Sequence, residues 1–88
     1  MNNKWLLKQN VSVLEYTSFP YAFRAMYHAA KKALEKGQHI ESTLTIISPL
    51  KDVHGDCRRY NYAQACQMAT NNGLLSAEGL LNNKEFKR

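Results

Sequence analysis

Six residues have the types and spacing to grip a polyanion. Arg24, Lys31 and Lys32 recur at i, i+7 and i+8, with His28 between them, and Arg58, Arg59 and Tyr60 stand side by side. Cations held a few ångströms apart on a rigid helix match the spacing of a phosphate backbone. In Cys57-Arg58-Arg59-Tyr60-Asn61-Tyr62, cations alternate with aromatics, the combination that holds single-stranded nucleic acid by phosphate contact and base stacking. Each pattern also suits a plain structural role. A solvated helix face is normally charged, and an edge strand can turn a tyrosine inward and its arginines to water.

Two other groupings could do chemistry, and both read better as structure. Asp52, His54, Asp56 and Cys57 offer four metal-ligand types within six residues. Gly55 at the tip and the flanking aspartates are turn formers, and no second ligand cluster closes a coordination sphere. Of the cysteines, Cys57 stands beside two arginines that would favour its thiolate, while Cys66 falls on an apolar helical stripe. No positioned His–Asp pair accompanies either. The expectation is a non-enzymatic protein with no cofactor and no metal.

The elements that must position these residues can be read in turn. The clearest spans Phe19 to Gly37, a helix with Pro20 at its start and Gly37 as its stop. Phe19, Phe23, Met26, Ala30, Ala33 and Leu34 make its apolar stripe, with Tyr21, Arg24, His28, Lys31, Lys32 and Glu35 opposite. Val11–Thr17 reads as a first strand and Glu41–Ser48 as a second, rich in β-branched residues. In the second, Leu44 and Ile46 share one face, with Thr43, Thr45 and Ile47 on the other. Pro49–Asp56 reads as a loop and Cys57–Tyr60 as a returning strand. Asn61 then caps a second helix, with Gln64 completing a capping box. Tyr62, Ala65, Cys66 and Ala69 form that helix's inner stripe, and Asn72-Gly73 ends it. Leu74 and Leu75 pack or begin a short strand, and Ser76 is placed to cap a last helix reaching Leu81.

The resulting order is β-α-β-β-α. The predicted fold class is α+β: a small single-layer domain of two helices packed on a mainly antiparallel three-stranded sheet. If the first two strands pair in parallel across the long helix, the crossover is right-handed. The 88 residues read as one domain, with residues 1–9 and 82–88 as frayed tails.

Composition narrows the function without naming it. The net charge is +5, yet residues 9–83 hold seven Lys/Arg against six acids, so most of the excess lies at the chain ends. Basic ends attract polyanions without specifying a site. No apolar run approaches the roughly 18 residues of a membrane span, no secretory leader is evident, and the two cysteines follow no disulfide or zinc pattern. The reading is a cytoplasmic chain, monomer or homodimer. Its first expected function is regulatory binding of nucleic acid, or of a nucleic-acid-associated complex, through Arg24, Lys31, Lys32, Arg58, Arg59 and Tyr60. The alternative is a protein–protein interaction module, such as a phage or accessory regulator binding a host protein. It would use Tyr21, Tyr27 and the spare face of the central strand.

Overall fold

The apolar triplet Trp5-Leu6-Leu7, flanked by lysines, is where the fold begins. A computed structural model of the chain describes residues 4–38, 44–76 and 78–81. Trp5–Gln9 is the first strand (β1), and it turns back through Asn10-Val11 into Ser12–Tyr16 (β2). Asn10 takes a φ of 54° and is the only described non-glycine residue with positive φ. Positive φ at the first of two loop residues is the II′ pattern, whose twist suits a hairpin. There follow α1 (Phe19–Glu35), β3 (Leu44–Lys51), β4 (Cys57–Asn61) and α2 (Tyr62–Asn71).

The α+β class, with two helices on an antiparallel sheet, is as expected, but the sheet has four strands, in the order β2-β1-β3-β4. The added strand, β1, comes from residues assigned above to a tail, and it lies in the middle. Every strand pairing is antiparallel. A parallel crossover does not occur, because β1 takes the place beside β3 and pushes β2 to the edge. The element order is therefore ββαββα.

The helices cover one sheet face. Leu7, Leu44, Ile46 and Ser48 are buried on that side, together with Phe19, Ala22, Phe23, Met26, Tyr27 and Ala30 of α1 and Ala65 and Ala69 of α2. An aromatic file runs along this layer. Trp5 meets Phe19 edge-on at 5.4 Å, Phe19 stacks on Phe23 at 5.9 Å, and Phe23 meets Tyr27 at 6.3 Å. Tyr27 is thus a core residue, only 7% exposed, and offers little surface to a partner. Leu34, placed above on the inner stripe, is 59% exposed, since the last turn of α1 runs past the core.

Both helices end by the same device. Gly37 and Gly73 adopt φ of 72° and 76°. Gln38 donates to the Ala33 carbonyl and Leu74 to that of Ala69, closing a Schellman motif at each stop. At the start of α2, Asn61 Oδ1 accepts from the Gln64 amide at 2.8 Å and Gln64 Oε1 accepts from the Asn61 amide at 3.0 Å, the expected capping box.

β3 extends beyond the expected stop at Pro49 to Lys51. An irregularity in pairing between Ile47 and Lys51 accommodates the proline, which has no amide to give the ladder. Buried Ser48 turns its Oγ to accept from the Leu50 amide at 2.9 Å. The loop shrinks to Asp52–Asp56. Past α2, Leu75 and Leu81 form an isolated bridge in place of the expected last helix, and Ser76 Oγ accepts from the amides of Glu78 and Leu80. Glu41–Thr43 and the 82–88 tail lie outside the described residues.

Candidate nucleic-acid interface

Burial of Phe23, Met26 and Ala30 forces the opposite side of α1 outward. Arg24, His28, Lys31 and Lys32 are all exposed on that ridge, followed by Glu35. Four residues of helix rise about 6 Å, so the side chains stand at phosphate-like intervals. The Lys31 ammonium sits 5.1 Å from the Tyr27 ring centre, and the His28 ring meets the same tyrosine edge-on at 5.7 Å. A cation over an aromatic face is held by the ring quadrupole. The buried tyrosine therefore fixes part of the ridge to the core.

Where α1 ends, the ridge adjoins a cleft of about 190 Å³ between the helix and the β1–β2 turn. Lys32 and Lys36 line it beside the amide side chains of Gln9, Asn10 and Gln38. Two ammonium groups and several amide donors suit an anion. Gln9 and Asn10 reach this cleft only through the β1–β2 hairpin, whose Asn-Val turn carries no local sequence signal. Lys36 is the C-cap residue of α1, one turn beyond Lys32, and lies outside the Arg24, Lys31, Lys32 pattern.

The Arg-rich strand faces elsewhere. Tyr60 pairs with buried Ile46, so it lies on the helix side, half-buried against the core. Arg59 pairs with Ile47 and projects from the opposite, open face; Arg58 is exposed at the β4 edge. Register alone thus separates Arg59 from Tyr60, and Arg59 from the α1 ridge.

On the open face, one row across the sheet reads Glu15, Leu6, Ile47, Arg59 and the next Val13, Lys8, Thr45, Asn61. Lys4 Nζ reaches Glu15 Oε2 at 3.7 Å. Trp5, Tyr16 and Tyr60 all belong to the other side, so these rows offer no ring on which a base could stack.

The remaining candidates are occupied structurally. Asp52 Oδ1 accepts from the amides of His54 and Asp56 at 2.8 and 3.1 Å, which closes the loop. Among the described residues no cluster of three or more His, Cys, Asp or Glu side chains could hold a metal ion. Between the helices, burial pushes the Tyr62 phenol well above its usual range, helped by its hydrogen bond with Cys66. Burial also raises the Cys66 thiol, against the opposing effect of that bond. Both shifts favour the protonated forms, and Cys66 packs half-buried against the core. Cys57 is exposed on the open face.

Comparison with family models, with curated proteins and with solved structures finds no match. No helix among the described residues is long and apolar enough to cross a membrane.

Proposed function

We propose that this protein is a small non-enzymatic regulator that binds nucleic acid by its phosphates, along the outer ridge of α1. Arg24, Lys31 and Lys32 make the contact, His28 lies between them, and Lys36 extends it into the cleft. The observation that carries this reading is the exposed cationic ridge anchored on Tyr27. Contacts made by cationic side chains along a helix ridge go to phosphates, so the binding is of backbone type and discriminates weakly among sequences. Arg58 and Arg59 enter only as a separate contact, and Tyr60 only as packing on the helix side of the sheet.

Salt dependence tests this directly. About four phosphate contacts give a slope of roughly −3 to −4 for log affinity against log salt, because each neutralised phosphate releases counterions. Replacing Lys31 and Lys32 by Ala should flatten the slope by about two units and leave the melting curve nearly unmoved, since both are exposed. Deleting residues 84–88 should leave most of the affinity. If that deletion abolishes binding while the double-lysine change does nothing, the helix is not the interface.

A second reading is favoured by the open sheet face. Half-buried Leu6 and Ile47 sit there among Lys8, Glu15 and Arg59, an aliphatic centre with a charged rim. That arrangement suits a protein partner better than a nucleic acid.

A further inference from the structure

The two edges of the sheet are built differently. β4 carries Arg58 and Arg59 and lies against an irregular stretch of β3, two devices that discourage edge pairing. β2 carries neither. Ser12–Tyr16 contains no Lys, Arg or Pro, its register with β1 is unbroken, and Val13 and Leu14 are 51% and 48% exposed. Among the described residues nothing pairs with its outer side. Of the four described strands it alone carries no cation. In a chain of net charge +5, a second copy meets at this edge Glu15 and the Lys4 ammonium 3.7 Å from it, opposite charges, in place of the two arginines of β4.

We propose that two copies of the chain pair through β2, antiparallel about Leu14, to form one continuous eight-stranded sheet. The hairpin geometry selects this register. A two-residue loop closed by Gln9 and Ser12 makes that pair hydrogen-bonded, so Leu7–Leu14 and Trp5–Tyr16 are bonded too. The backbone groups of Val13 and Glu15 therefore point outward. With Leu14 opposite the partner's Leu14, each Val13 exchanges both bonds with a partner Glu15, and every outward group is used. The two half-exposed leucines meet on the helix side, in the non-bonded position where side chains approach closest. No glutamate faces a glutamate, whereas centring on Glu15 would set like charges directly opposite. The pairing also sets both α1 ridges on one side of the joined sheet. It does not depend on what the ridges bind.

Sedimentation of the full chain over a concentration series should show a monomer–dimer equilibrium. Leu14→Lys should raise the dissociation constant by about tenfold or more, by opposing two cations and removing the leucine contact. Val13→Pro should do the same by removing an outward amide while sparing the β1 ladder. In a Cys57→Ser background, oxidised Leu14→Cys should give a disulfide-linked dimer and Val13→Cys should not. That cross-link reports the pairing even if the lysine variant fails to fold. The proposal is overturned by a chain that stays monomeric, or by a dimer that folded Leu14→Lys and Val13→Pro leave unchanged. It is also overturned by cross-linking through position 13 in place of 14. A monomer whose Val13 and Glu15 amides shift on adding an extended β-forming peptide would reassign the edge to a foreign strand.

Discussion

A chain shortened by residues 1–9 is expected not to fold. The deletion removes β1, which pairs with both β2 and β3 and contributes Trp5 and fully buried Leu7 to the core. β2 has no other described strand to pair with, so one deletion takes away half of the sheet. The small domain has about 4–13 kcal/mol of stability in all, at 0.05–0.15 per residue. Loss of Leu7 alone would cost about 2–5 kcal/mol. Circular dichroism should show no cooperative melt for the shortened chain. A cooperative transition near that of the full chain would show that residues 1–9 are the frayed tail their composition suggests.

Phe23→Ala should cost about 3–5 kcal/mol, the range for truncating a buried aromatic. The ring is wholly buried and lies between Phe19 and Tyr27 in the aromatic file. The informative partner is Leu34→Ala, which should move stability by no more than about 0.5 kcal/mol, because that side chain is largely exposed. Both positions belong to one apolar stripe by spacing. Denaturant titration of the pair therefore reads which part of α1 meets the core, and equal losses would contradict the packing described here.

The contrast between Leu34 and Phe23 shows what spacing can and cannot reveal. Helical periodicity located α1, and the Asn61–Gln64 pair located the start of α2, because both signals are local. Leu34 shares the periodicity, but where the core ends depends on how far the sheet extends beneath the helix. β1 is hidden in the sequence for a different reason. Trp5-Leu6-Leu7 has no alternation, since a central strand packed on one face and half-covered on the other need not alternate. Its hairpin turns on Asn10-Val11 instead of Asn-Gly, so Val11 looked like the start of a strand. Pro49 looked like a stop because the pairing irregularity that tolerates it is set by the partner strand.

The candidate site was legible in the same uneven way. Lys31, Lys32 and Arg24 followed from the helix, and the structure leaves them together on one exposed ridge. The Arg58–Tyr60 segment looked like one cationic and aromatic surface, but strand alternation sends Arg59 and Tyr60 to opposite sides. Tyr27 was assigned to an outer contact; burial makes it the support on which the Lys31 ammonium rests. The cleft at Lys32 and Lys36 needed the hairpin turn, which no local signal announced.

The most direct test of phosphate binding by the α1 ridge is an NMR titration of the full chain with a short oligonucleotide at low salt. The account predicts that the largest shifts fall on Arg24, His28, Lys31, Lys32 and Lys36, that they are nearly independent of base sequence, and that added salt reverses them. Shifts centred on Leu6, Ile47 and Arg59 across the open sheet face, or confined to residues 84–88, would contradict it.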